Sequence, residues 1–233
     1  MTATNRLFQC MSVLKRLLFG FAAMGGNYPS VNAANALPGR AEPLKGISEV
    51  HAVNKNRMFP PFPEGTKSAV FGMGCFWGVE RSFWKIKGVY STHAGYAGGY
   101  TKNPTYQETC TGQTGHAEVV RVIYYPDQVD YSTLLKSFWE NHNPTTKDRQ
   151  GNDSGPMYRS AIYCDDETDL ELAKQSAETY QKNLNDRGVT GEITTEIKLD
   201  NVFYYAEDYH QQYLHKNPGG YCSMRGTGVK CTL

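Results

Sequence analysis

The alternation of two apolar periodicities between residues 68 and 199 limits what this chain can fold into more than any other feature. SAVFGM (68–73) is a short apolar run of strand length, and FWGVERSFWKI (76–86) follows it with helical spacing. Residues 89–97 read as a second strand ending at Gly98-Gly99, and a loop over 100–116 leads to EVVRVIYY (118–125), stopped by Pro126-Asp127. Leu134, Leu135, Phe138 and Trp139 fall on one face of a helix over 131–142. A polar loop (143–158) then precedes the strand RSAIYC (159–164). The next helix is N-capped by Asp166, carries Leu170, Ala173, Ala177, Tyr180 and Leu184 at three- and four-residue steps, and stops at Gly188. ITTEIKL (193–199) alternates as a half-buried strand. The order β-α-β-β-α-β, with one helix and strand added, predicts an α+β chain: a two-layer ferredoxin-like (split βαβ) sandwich with a mixed sheet and helices on one face. Periodicity fades after about residue 200, and the glycine-rich stretch from about 217 reads as a long, mobile C-terminal coil.

Composition removes several classes of function. A formal charge of +1 over 233 residues is no electrostatic footprint for nucleic acid or an anionic membrane, so neither is expected as a partner. No apolar run reaches the length of a membrane span. Six cysteines (10, 75, 110, 164, 222 and 231) are too scattered for a disulfide scaffold and read as intracellular thiols. No acidic residue precedes Glu42, while Arg6, Lys15 and Arg16 punctuate an apolar start, so residues 1–24 read as a targeting segment similar to a mitochondrial transit peptide. Residues 25–60, rich in Asn, Ala and Pro, read as a linker into one domain over 61–233. The expected location is the mitochondrion, the cytoplasm or both, and the expected state a monomer.

Cys75 is the leading candidate for chemistry. It stands where a strand gives way to a helix, and unpaired N–H groups at a helix start favour an anion, so a lowered thiol pKa and a nucleophilic sulfur are expected. Phe76 and Trp77 put an apolar wall beside it. Glu118 falls on the Val120/Val122/Tyr124 face of its strand; if that face is covered, the carboxyl is desolvated and suited to general acid work. An exposed glutamate at a strand end is the plainer alternative. Cys222 and Cys231 flank Gly226 and Gly228 in the tail, as thiols that resolve a sulfenic acid would, although two idle terminal cysteines fit the pattern too. Tyr106, Tyr158 and Asp153 lie in polar loops and are equally readable as loop residues. Two rival functions use the same residues. A cysteine hydrolase would pair Cys75 with His116, but the small residues wanted two places either side of its nucleophile are Met73 and Trp77 here. A zinc or thiol-binding module would use the tail cysteines with His210 and His215, at a Cys–Cys spacing far wider than usual.

Eight segments taken together resemble one family. GCFWGVE (74–80), GYAGGY (95–100), NPTYQETC (103–110), TGHAEVVR (114–121), RQGND (149–153), YRSAIY (158–163), FYYAEDYHQQYL (203–214) and NPGGYC (217–222) are similar to A-type peptide-methionine sulfoxide reductase, in order, from about residue 60 onward. The two tail cysteines resemble its three-cysteine, animal-like subtype. The resemblance implies a thiol-dependent oxidoreductase that repairs oxidised proteins by reducing methionine S-sulfoxide, in proteins and as the free amino acid. It implies Cys75 as nucleophile at the sulfoxide sulfur and Glu118 as the group that protonates or hydrogen-bonds its oxygen, aided by Tyr106 and Tyr158. Phe76 and Trp77 would hold the S-methyl group, and Asp153 would organise the polar side. Cys222 would then form a disulfide with Cys75, and Cys231 would exchange into it. Thioredoxin, or dithiothreitol in vitro, would reduce the product, with no bound cofactor and no metal. Three segments depart from the family pattern: Asn143-Pro144-Thr145-Thr146, Gly155-Pro156-Met157-Tyr158, and Ser223-Met224-Arg225 where the family has glycines. Arg225 would bring a cation near the tail thiols, and the lost glycines would stiffen the arm.

Overall fold

The computed structural model describes Tyr28 and residues 30–233; residues 1–24, expected to be a targeting segment, and Cys10 within them lie outside the described residues. The elements run β1 (Lys67–Met73), α1 (Phe76–Phe83), β2 (Val89–Ala97), α2 (Tyr106–Cys110), β3 (Ala117–Tyr124), α3 (Tyr131–Asn141), β4 (Arg149–Gln150), β5 (Asp153–Ser154), β6 (Ser160–Cys164), α4 (Glu167–Asp186), β7 (Glu196–Leu199), β8 (Phe203–Tyr205) and α5 (Tyr213–Lys216). Six strands form one sheet in the order β7-β6-β1-β3-β2-β8. β1 lies antiparallel between β3 and β6, and β2 lies antiparallel between β3 and β8. That is the split βαβ arrangement read from the sequence. β7 pairs parallel to β6, as a strand reached through a crossover helix must, and the sheet is therefore mixed.

One face of the sheet carries the helices. Phe71 stacks on Phe83 with ring centroids 4.9 Å apart. Trp139 of α3 stacks on Tyr180 of α4, and its indole N–H donates to Ser176 Oγ at 2.9 Å, so the largest buried side chain leaves no polar atom unmet. The opposite face holds only a small layer of Val70, Ala97, Ala117, Val119, Ala161 and Tyr163.

Elements missing from the periodicity are those held by side chains. α2 stands inside the loop 100–116 because Thr105 and Glu108 close a reciprocal capping box. The loop 143–158 contains the β4–β5 hairpin and a 3-10 turn at Pro156–Tyr158. Residues 30–60 form no helix, only isolated bridges at Gly39–Lys102 and Val50–Arg57, and lie along the domain with His51 and Met58 fully buried. Among the described residues no helix is long and apolar enough to cross a membrane.

The tail after residue 217 has no regular structure, as expected, but it is not a free arm. Cys231 N–H donates to Glu140 Oε1 at 3.0 Å, Lys230 pairs with Glu140 at 2.8 Å, and Tyr180 OH donates to the Val229 carbonyl at 3.3 Å. Val229 and Cys231 are buried between α3 and α4. Glycine content suggested mobility; the backbone's close approach to α3 is what the glycine serves, since a Cβ on Gly226 would overlap the Glu140 carbonyl.

Glu80 ties α1 to the chain's distant parts. Fully buried, it accepts hydrogen bonds from Gln212 N–H and Nε2 (both 2.7 Å) and from Thr92 Oγ1 (3.2 Å). Burial outweighs these bonds and pushes its carboxyl up to about 8 from 4.5. Between those values the folded chain keeps a proton that the unfolded chain has released, so the group's contribution to stability falls as pH rises through that window. Urea midpoints of Glu80→Gln and the parent, compared from about pH 5 to about pH 8, should therefore move in the variant's favour as pH rises. A gap constant across that range would contradict the raised carboxyl.

Candidate active site

The turn from β1 into α1 builds the centre. Gly74 has φ +88°, and a Cβ there would come within 2.6 Å of the buried Gln150 side chain. Both facts demand glycine, and together they swing Cys75 into the N-cap position of α1. The thiol makes no regular side-chain cap. Instead Phe76 N–H donates to Glu118 Oε2 at 3.1 Å. Glu118 reaches this point from β3, which pairs directly with β1, and it is only 1% exposed. The covered-face reading of Glu118 therefore holds, and the exposed strand-end reading does not.

The same contact overturns the expected sign of the Cys75 pKa. The helix start does favour an anion, but the Glu118 carboxyl group has taken the place. Burial raises the thiol well above 9.0, the facing Glu118 charge raises it further, and the Trp77 N–H opposes both without prevailing. In the resting site Cys75 is a protonated thiol beside a carboxyl group.

Asp153 and Cys222 complete the polar side. The Asp153 carboxylate accepts hydrogen bonds from Ser223 Oγ and from Tyr221 OH (3.2 Å), and partial burial raises its pKa. Tyr221-Cys222-Ser223 is thereby pinned across the site. Cys222 Sγ lies against Gly78, where a Cβ would meet it at 2.9 Å. Ser223, one of the departures from the family pattern, makes one of the two anchoring bonds.

The apolar side is organised by a residue the sequence did not single out for this role. His210 Nδ1 accepts a hydrogen bond from Trp77 Nε1 at 2.9 Å, and its ring lies 4.8 Å from Phe76 and 4.5 Å from Tyr106. Trp77 is also stacked on Tyr213 at 3.8 Å. Glu207 accepts from Tyr106 N–H and Tyr96 OH, both at 2.9 Å, which fixes Tyr106 at the start of α2 rather than in a free loop. Glu207 and His210 stand in FYYAEDYHQQYL, where their spacing gave no periodic signal. Tyr158 ends the 3-10 turn and packs against the main core.

Cys231 is not brought to the site. It is buried on α3 and α4, and its thiol is pushed up to about 11, chiefly by burial. Cys110 and Cys164 are likewise buried away from it, in α2 and at the end of β6.

The rival chemistries find no support. His116 points both ring nitrogens at the backbone, accepting from Gly99 N–H at 3.1 Å and meeting the Thr101 carbonyl at 2.7 Å. It clamps a loop and has no nitrogen left for Cys75. His210 is engaged by Trp77, and among the described residues no group of three His, Cys, Asp or Glu side chains is arranged to hold a metal.

A sequence profile of the family described as "Peptide methionine sulfoxide reductase" matches residues 67–231. The chain is 62% identical over 201 residues to peptide methionine sulfoxide reductase MsrA of Rhodospirillum centenum, covering 86% of this chain and 91% of that one. It is 56% identical over 234 residues to the mitochondrial peptide methionine sulfoxide reductase of Homo sapiens, covering 100% and 98%. Among solved structures it is similar to methionine sulfoxide reductase A of Corynebacterium diphtheriae, with TM-score 0.74 and 43% identity over 87% of this chain and 97% of that one. Reduced Mxr1 of Saccharomyces cerevisiae superposes with TM-score 0.62 and 32% identity, over 76% of this chain and 96% of that one. With a buried thiol–carboxyl pair at a helix start, an aromatic wall beside it and these relatives along its length, the chain belongs to the peptide methionine sulfoxide reductase family.

Proposed function

We propose that this enzyme reduces the S epimer of methionine sulfoxide, in oxidised proteins and as the free amino acid, with Cys75 as nucleophile and Glu118 as proton carrier. The observation that carries the reading is the meeting of Cys75 and Glu118 at the N-terminus of α1. Attack at the sulfoxide sulfur needs a thiolate, and departure of its oxygen needs a proton. A protonated Cys75 beside Glu118 supplies both from one transfer: the carboxylate takes the thiol proton and delivers it to the sulfoxide oxygen. Cys75 Sγ bonds to the substrate sulfur, and that S–S bond and the substrate S–O bond both break as the protonated oxygen passes to Cys75, so the substrate sulfur gains the electron pair that Cys75 loses. Methionine leaves and Cys75 is a sulfenic acid. Phe76 and Trp77 suit the S-methyl group, Tyr106 and Tyr158 the sulfoxide oxygen, and Asp153 the polar side of the pocket.

Cys222 is the resolving thiol in this reading, supported by its seat on the same helix. Cys231 exchanges into the Cys75–Cys222 disulfide, which requires the last tail residues to leave the α3–α4 face. A dithiol protein of the thioredoxin type then reduces the accessible disulfide, a role its low potential suits. The mitochondrion is the proposed location, supported by the acid-poor, basic start and by relatives named mitochondrial in Homo sapiens, Bos taurus and Rattus norvegicus. The proposed boundaries are a targeting segment over 1–24, a linker over 25–60 and the catalytic domain over 61–233.

Three measurements test this. Cys75→Ser should abolish turnover of the S-sulfoxide with dithiothreitol; unchanged turnover would end the mechanism. Glu118→Gln should slow methionine formation by about 10²–10⁴-fold, yet lower the pH midpoint of Cys75 alkylation, because the neighbouring charge is gone. A midpoint that stays or rises contradicts the thiol–carboxyl pair. Without reductant, the parent should yield about two methionines per chain and Cys231→Ser about one, because exchange frees Cys75 for a second attack. Equal yields would exclude the Cys231 step.

A further inference from the structure

Cys222 is held by a helix residue that has no part in the reaction so far. Arg81 Nη2 donates to Cys222 Sγ at 3.1 Å. Cys75, Gly78 and Arg81 follow at three-residue steps, so they share one stripe of the α1 start and surface. The resolving sulfur is thus seated over Gly78 and Arg81, about one helical turn, roughly 5 Å along the axis, from the Cys75 position. Among the described residues Arg81 forms no ion pair with a carboxylate, so its cation is directed at sulfur. Arg225, the cation that the tail sequence itself offers, is exposed.

The geometry points to Arg81 as the positioning residue of the second step, the attack of Cys222 on the Cys75 sulfenic acid. This rests on Cys75 and Cys222 acting as proposed above. In that step the S–S bond forms, the Cys75 S–O bond breaks, and the hydroxyl leaves as water with the proton of the Cys222 thiol. Cys222 is oxidised and Cys75 reduced by the same electron pair, so no outside reagent enters. Negative charge gathers on Cys222 Sγ as its proton departs, and a guanidinium donor already on that atom stabilises the charge while fixing the direction of attack. Gly78 contributes room: a side chain there would push the sulfur off the helix. Substrate reduction happens at the other end of the stripe, at Cys75 and Glu118, so Arg81 acts on one half of the cycle only.

Single-turnover experiments separate the halves. The reduced full-length chain is mixed with methionine S-sulfoxide without reductant. Methionine release reports the first step, and dimedone-trapped Cys75 sulfenic acid, followed by mass spectrometry, reports the second. In Arg81→Met, methionine should be released at the parent rate, while the sulfenic acid persists about tenfold longer or more. Arg81→Lys, which restores a cation without the planar fork, should recover most of the loss. An unchanged sulfenic acid lifetime in Arg81→Met overturns the assignment. So does equal slowing of both steps in Arg81→Met and Arg81→Lys, the signature of a residue that only packs. Failure of the parent to release methionine would instead overturn the proposed function beneath it.

Discussion

One backbone hydrogen bond, from Phe76 N–H to the Glu118 carboxylate, joins the two strands and the helix on which the site depends. It satisfies a donor that the start of α1 would otherwise leave unpaired, and it does so with a side chain from 42 residues away in sequence. The bond fixes where Glu118 points and leaves Cys75, the true N-cap residue, without a cap of its own. A thiol kept protonated by burial and by its neighbour suits the nucleophile role proposed for Cys75. A buried, protonated thiol resists stray oxidation, and in the proposed mechanism its proton is the one delivered to the sulfoxide oxygen.

The tail is a strap with two anchorages rather than a loose arm. Its first part is tied to Asp153 by Tyr221 and Ser223, which sets Cys222 over α1. Its last part is tied to Glu140, Tyr180 and Asn183, which buries Cys231 elsewhere. The two tail thiols of the proposed relay are therefore stored apart. In the proposed cycle, resolution of the sulfenic acid needs a movement of Cys222 along one helix face, whereas exchange with Cys231 needs the second anchorage to open. His210 does for the aromatic side what Asp153 does for the polar side: it joins Phe76, Trp77 and Tyr106, which arrive from two different helices, into one wall.

Much of this was legible in the chain itself. The split βαβ order and the α3 and α4 stripes follow from apolar spacing, because strands and helices repeat with fixed periods, while the burial of Glu118 is left open by that spacing and decided by the fold. α2 reads from the sequence as part of the loop 100–116; its capping box of Thr105 and Glu108 is a finding of the structure. The segment motifs pointed to the family and to the nucleophile. The hairpin at 149–154, β8 and α5 carried no such pattern, since contacts with distant segments hold them.

The sequence by itself determined the architecture and the family and singled out Cys75 as the candidate nucleophile, all of them consequences of local pattern. Tertiary structure alone decided the charge state of Cys75, the place of Cys222 and the burial of Cys231. A helix start read locally favours a thiolate, but full burial of the thiol reverses that preference and the long-range arrival of Glu118 reinforces the reversal. A glycine-rich tail read locally is mobile, but the same glycines let its backbone lie against α3. In the same way Arg225, three residues from Cys222, is exposed, while Arg81, 141 residues away, donates to the Cys222 sulfur. Electrostatics and close packing act through space, and only the fold sets those distances.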